Sequence, residues 1–272
     1  MPPLPDSTLT STKNPRVRAA AALRDRRARD EAGLTLVDGG RELARALAGG
    51  ARVVELFVDE GRLDAEGLEA VRLAAGRGGA IVPVTPLVLE RLAYGDREAG
   101  VVATVVIPDL DLGRLTLPAD SLVVVVEGVE KPGNLGAVLR SADAAGADAV
   151  IAADPRTDLF NPNAIRASLG TIFTVPVAGA SSADVRAWLT AAGIGILTAR
   201  VGAALPYTDA DLRGPVAIVL GSEADGLTDA WDGEGVTPVS LPMLGVADSL
   251  NVSITAAVLL YEARRQRGSR PA

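Results

Sequence analysis

The feature that most limits the fold of this chain is a set of four short, almost wholly apolar runs in its second half, Leu122–Val126, Ala149–Ala152, Gly195–Thr198 and Val216–Leu220. A strand with one wetted face alternates polar and apolar residues, whereas unbroken Val/Ile/Leu runs suit strands covered on both faces. A mostly parallel sheet meets that demand, because each crossover helix packs back onto the sheet. The runs therefore predict an α/β domain over residues 121–272. Its last helix, Ser249–Arg267, buries Val252, Ala256, Leu259 and Leu260 and starts at Ser249 as N-cap. The first half is patterned differently. Strands over Leu34–Val37, Val53–Val58, Ile81–Val84 and Val101–Ile107 alternate with helices over Gly40–Ala48, Asp64–Ala75 and Pro86–Ala93, a small α/β layer over residues 14–107. One helix over residues 15–30 opens it, with Asn14 as cap and Pro15 in the first turn. Residues 108–120 lose the periodicity between two prolines and read as a linker. Residues 1–13, rich in Pro, Ser and Thr, read as a disordered lead-in.

Composition removes whole classes of chemistry. The chain of 272 residues has no Cys and no His, which excludes disulfides, thiol nucleophiles, Cys/His zinc sites and any imidazole base. No metal site is expected. What remains is Arg, Lys, carboxylates, hydroxyls, amides and backbone dipoles, a set suited to reactions that depend on placing two substrates together. No apolar run approaches the roughly 20 residues of a membrane span, and the N-terminus lacks a secretory signal; a cytoplasmic location is expected.

The net charge of −7 hides its distribution. Residues 1–30 hold seven basic residues (Lys13, Arg16, Arg18, Arg24, Arg26, Arg27 and Arg29) against three acids, a net +4. Residues 261–272 hold Arg264, Arg265, Arg267 and Arg270 against Glu262, a net +3, so residues 31–260 carry −14. Such runs are commonly solvated helix faces. Two basic ends on an acidic body also suit RNA, because phosphate binding follows local patches and not the total.

Three stretches gather polar groups where a strand runs into a loop, the place where open α/β sheets bind ligands. Val126–Arg140 carries Asn134 and Arg140 in an N-x-G-A-x-x-R pattern at the start of a helix. Alone, a strand-to-helix turn with a capping asparagine and a surface arginine would account for it. The glycines at 128, 133 and 136 do not make the G-x-G-x-x-G of a dinucleotide fold. Gly221–Gly226 reads Gly-Ser-Glu-Ala-Asp-Gly, where glycine lets backbone approach a flat ligand. It lacks the spacing of a nucleophile elbow, and Glu223 could cap a short helix. Leu241–Ser253 crosses a small-residue loop into the last helix. An N-cap accounts for Ser249 but not for Asn251 and Ser253 in the first turn. A weaker fourth stretch, Asn161–Gly170, places Arg166 and Ser168 near the end of a short helix.

Taken together, N-x-G-A-x-x-R, then L-G-S-E-x-x-G, then L-P-M-x(6)-S-L-N-V-S resembles the SpoU (TrmH-like) branch of the SPOUT RNA methyltransferases, over about Leu122–Arg267. Residues 14–107 resemble the ribosomal-protein-like substrate-binding domain often placed before it. The resemblance implies S-adenosylmethionine as cofactor, methyl transfer to an RNA ribose 2′-hydroxyl, a deep C-terminal trefoil knot, and a homodimer with active sites at the interface. By position it assigns Asn134, Arg140, Glu223, Ser249 and Asn251 to catalysis. It assigns the backbone of Thr198, Leu220, Gly221, Leu241 and Leu250 to the cofactor, and Arg166 to the target RNA or the cofactor tail. Arg24, Arg26, Arg27 and Arg29 would add sequence-independent phosphate contacts. Relatives of this layout mostly modify ribosomal RNA, often of the large subunit, as housekeeping or antibiotic-resistance enzymes. A transfer RNA target and a non-catalytic RNA-binding module are the alternatives. Arginine is effectively always protonated, so Arg140 is expected to act as an electrostatic clamp on phosphate and developing alkoxide more than as a base.

Overall fold

The computed structural model describes residues 7–93 and 100–268. In chain order the first part gives α1 (Pro15–Ala22), α2 (Arg26–Ala32), β1 (Leu34–Asp38), α3 (Gly40–Ala48), β2 (Val53–Val58), α4 (Ala65–Gly76), β3 (Ala80–Pro83), α5 (Pro86–Leu92) and β4 (Val101–Val106). The second gives β5 (Leu122–Glu127), α6 (Pro132–Ala145), β6 (Ala149–Ala153), α7 (Pro162–Ala167), β7 (Val177–Ala180) and α8 (Ser182–Ala191). It ends with β8 (Gly195–Ala199), β9 (Leu205–Pro206), β10 (Val216–Leu220), β11 (Val236–Ser240) and α9 (Val252–Arg267). These elements form two compact units, one of residues 1–108 with 158–174, the other of residues 109–157 with 175–272.

In the first unit a four-stranded sheet of order β1-β4-β2-β3 packs its apolar residues, Leu36, Phe57, Val82 and Val102 among them, against Val17 of α1 and Val88 and Leu92 of α5. The single helix expected over residues 15–30 is two. The Asn14 side chain caps α1, and the Asp25 carboxylate accepts the Arg27 N–H at 2.9 Å and starts α2 afresh. An aspartate favours a cap over a helix interior for that reason. The expectation of disorder over residues 1–13 also needs correction. Leu9 bridges to Val84, donating its N–H to the Pro83 carbonyl at 2.8 Å and accepting from Thr85 N–H at 3.1 Å. Residues 1–6 lie outside the described residues.

Residues 158–174, read from sequence as part of the second half, fold with this first unit. Phe160, Ile165 and Ile172 are buried there, and Thr35 Oγ1 donates to the Phe160 carbonyl at 2.7 Å. A Cβ on Gly49 would lie 1.8 Å from the Phe173 carbonyl oxygen, so only glycine admits the segment there.

The second unit is a seven-stranded sheet of order β7-β6-β5-β10-β8-β11-β9, parallel at every pairing. The four apolar runs form β5, β6, β8 and β10, and β5, β6 and β10 are buried at every position. The stretch expected as linker packs instead, with Leu112, Leu115 and Leu117 against the sheet's core cluster. From β5 the chain winds outward through β6 and β7, then returns with β8 and β10 on the other side of β5. The crevice at the carboxyl ends of β5 and β10 is therefore the topological switch point, where such sheets bind ligands.

Helix α9 packs along α6. It begins at Val252 with Asn251, not Ser249, as its N-cap. Its arginines serve the fold. Arg264 donates to the Ala145 and Gly146 carbonyls that end α6, Arg267 donates to the carbonyls of Leu212 at 2.7 Å and Asp120 at 2.6 Å, and Arg265 pairs with Glu262 at 2.7 Å. The basic C-terminus that reads as an RNA patch is thus largely engaged in capping and ion pairing; Arg270 lies outside the described residues.

Candidate active site

The polar residues of the three stretches meet because β5 and β10 are neighbours and α6 and α9 pack together. Lys131 takes the N-cap position of α6, which leaves Asn134, the third residue of the helix, free to point its amide elsewhere. Asn134 Nδ2 donates to Glu223 Oε1. Asn251 divides its amide: Oδ1 caps α9, accepting from Ser253 N–H at 2.9 Å and Ser253 Oγ at 2.7 Å, while Nδ2 donates to Glu223 Oε1 at 2.7 Å. The polar first turn of α9 is thereby explained. Glu223 caps no helix. It rides on a tight loop closed by reciprocal Ser222–Gly226 backbone hydrogen bonds of 3.0 and 3.2 Å. A Cβ at Gly221 would sit 2.2 Å from the Gly226 carbonyl carbon, so that loop requires glycine at its base.

Lys131 escaped the sequence reading. Its Nζ donates to Glu223 Oε2, and this bond, aided by Asn134, holds the Glu223 carboxyl below the usual carboxylate range. In return Glu223 raises the Lys131 ammonium. Both are charged at neutral pH. The available signal was a lysine one residue before the Pro that opens a helix, which any surface turn also offers.

Beside this cluster lies a cavity of about 520 Å³, within the ~300–1,000 Å³ of small-molecule sites. Leu220, Gly221, Leu241 and Leu250 line it, joined by Met243 and Val252. Glu223, Asp225, Asp248, Ser249 and Asn251 supply its polar rim. Thr198 does not line it. The residue is wholly buried in β8 with its hydroxyl unpartnered, and the next residues, Ala199 and Arg200, reach the cavity in its place. Arg140 stands exposed on α6, outside the lining.

In the first unit, Arg166 is half-buried on α7. Arg26 and Arg27 are exposed and lie beside Asp30 and Glu31 at 3.7 and 2.8 Å. Arg24 donates to the Ala93 carbonyl. Arg29 cannot meet a phosphate: it is 1% exposed, paired with Asp158 at 2.6 Å and donating to the carbonyls of Leu23 and Arg24. Among the described residues no group of His, Cys, Asp or Glu could hold a metal ion. No helix among them is long and apolar enough to cross a membrane.

The cleft is mixed in character, with Leu220, Leu241, Met243, Leu250 and Val252 on its wall and Arg200, Glu223, Asp225, Asp248 and Asn251 at its edge. Sheet order and site together define a parallel α/β domain with a small-molecule cavity at the carboxyl ends of β8, β10 and β11. The chain belongs to the SpoU rRNA Methylase family, which matches residues 121–261, while an MRM3-like substrate binding domain matches residues 14–103. It is 35% identical over 254 residues to the 23S rRNA (uridine(2479)-2′-O)-methyltransferase of Streptomyces viridochromogenes, covering 91% of this chain and 88% of that one. A solved RNA 2′-O ribose methyltransferase superposes with TM-score 0.83 at 42% identity, covering 96% and 99% of the two chains. The AdoMet-bound rRNA methyltransferase of Sinorhizobium meliloti does so with TM-score 0.88 at 29% identity, covering 97% and 99%.

Proposed function

We propose that this chain methylates a ribose 2′-hydroxyl of large-subunit ribosomal RNA with S-adenosylmethionine as donor. The observation that carries the reading is the convergence of Lys131, Asn134 and Asn251 on the Glu223 carboxylate at the mouth of the cavity. Bound there, S-adenosylmethionine supplies a methyl group already activated on a sulfonium. The backbone at Leu220, Gly221, Leu241 and Leu250 would hold it in the cavity. Glu223, kept ionised by Lys131, favours its positive charge. Ser249 and Asn251 at the rim orient the ribose. Arg140 binds the phosphate next to the target ribose and steadies the negative charge that grows on the attacking oxygen as the methyl leaves the sulfonium sulfur and the hydroxyl proton passes to water. Fixed placement of methyl and oxygen supplies much of the rate.

Because Arg140 lies outside the cavity of its own chain, the complete site is read as one shared by two copies, with α6 and α9 facing the partner. The passage of the chain from β11, beyond β8, back to α6 supports a knotted C-terminus. The first unit, with Arg26, Arg27 and Arg166, is assigned to RNA contact. A ribosomal RNA substrate favours a cytoplasmic location.

Purified protein, labelled S-adenosylmethionine and ribosomal RNA, followed by mass mapping of the methylated nucleotide, tests the activity. Arg140→Ala is expected to abolish transfer while S-adenosylmethionine binds within a few-fold of wild type. Near-normal turnover in that variant would remove Arg140 from the chemistry. Label in transfer RNA alone would move the target, and calorimetry without cofactor binding would leave an RNA-binding module.

A further inference from the structure

Glu127 ends β5 as the charged residue of an otherwise apolar strand, and it is 3% exposed. A carboxylate is seldom buried unless hydrogen bonds replace its water. Ser182 Oγ, at the start of α8, donates to its Oε1 at 2.7 Å. Thr228 binds both of its oxygens, with Oγ1 donating to Oε1 at 2.7 Å and the backbone N–H donating to Oε2 at 2.8 Å. Thr228 stands two residues beyond Gly226, at the exit of the loop that carries Glu223. From the other side Arg200 donates to the Thr228 carbonyl at 3.1 Å and to the Leu227 carbonyl at 3.3 Å. One peptide segment is therefore gripped at its N–H by a buried carboxylate and at its C=O by a guanidinium. The loop's entrance is fixed by β10, so these grips set how far residues 221–226 lean into the cavity.

We propose that Glu127 is a positioning residue for the cofactor: it holds the exit of the Gly221–Gly226 loop so that the loop's backbone forms the cavity wall. This rests on the reading that the cavity takes S-adenosylmethionine. Hydrogen bonds to a buried charge are strong enough that losing one shifts a local equilibrium about ten- to a hundredfold. The loop, and not the sheet, feels that loss, because β5 stays paired with β6 and β10.

The test uses the full chain, S-adenosylmethionine calorimetry and thermal melts. Thr228→Val, which keeps shape but removes the hydroxyl, is expected to weaken cofactor binding about tenfold with a small change in Tm, and Thr228→Ser to restore it. Ser182→Ala, which frees Glu127 on the side away from the loop, should leave affinity within about threefold. Glu127→Ala should weaken binding more than Thr228→Val, and Glu127→Gln, which can still pair with Thr228, less than Glu127→Ala. If Glu127→Ala does not fold, the Thr228 pair decides. Variants that lower Tm but keep wild-type affinity would overturn the proposal and make Glu127 a purely structural anchor. The wild-type chain separates the two readings: no S-adenosylmethionine binding there would dismiss the cavity reading itself, whatever Glu127 does.

Discussion

Arg26, Arg27 and Arg29 are alike in the sequence and differ in the fold. Arg29 turns inward to Asp158, while the other two stay in water beside i+4 acids. Exposed i,i+4 pairs contribute only a few tenths of a kcal/mol, so a phosphate displaces those acids easily. Replacing Arg26 and Arg27 with alanine is expected to leave stability nearly unchanged and to flatten the salt dependence of RNA binding by about 0.7–0.9 per lost contact on a log–log plot. Arg29→Ala should do the reverse. It strands Asp158 and two carbonyls and costs about 3–5 kcal/mol, read as a lower denaturant midpoint of the first unit. An unchanged salt slope in the double variant would dismiss α2 as an RNA contact. Residue identity was legible here, but direction was not. The same limit hid Lys131, whose meaning depends on Glu223, 92 positions away.

At the scale of elements, α9 presents Ile254, Ala257, Val258 and Tyr261 at i, i+3, i+4 and i+7 on one side. Ile254 and Tyr261 are 52% and 55% exposed. A stripe of that spacing is the usual pattern of a helix face that packs on something, and the opposite face already packs on α6. If the partner is a second copy, Ile254→Glu with Tyr261→Glu should shift the sedimentation mass from dimer to monomer. Methyl transfer should fall with it, because Arg140 then has no cavity to complete. A wild-type chain that sediments as a monomer would end the shared-site reading. Periodicity made most strands and helices readable. It missed the break before α2 and misplaced the start of α9, where Asp25 and Asn251 choose the cap by hydrogen bonds that hydrophobic spacing does not record.

At the scale of the whole molecule, the boundary between the halves does not follow the chain. Residues 158–174 bury Phe160, Ile165 and Ile172 in the first unit although 49 residues of the second separate them from Pro108. A fragment ending at Pro108 is expected to melt broadly and bind hydrophobic dye, whereas fusing residues 158–174 to it through a flexible linker should restore a cooperative transition. Equal, sharp melts from both would show the segment to be dispensable. Removing two buried phenylalanine or isoleucine contacts typically costs several kcal/mol, a large share of a small domain's stability.

The sequence by itself determined the sheet class, the four buried strands, the absence of thiol and imidazole chemistry, and the three stretches that build the site. Those properties depend on residue type and short-range spacing, and a parallel sheet's ligand crevice follows from strand ends alone. Tertiary structure decided which polar groups meet. It set Asn134 and Asn251 on one carboxylate, brought Glu127 to Thr228, turned Arg29 inward, and gave residues 158–174 to the first unit. Each of these joins residues far apart in the chain through hydrogen bonds of about 3 Å, a distance that only packing specifies.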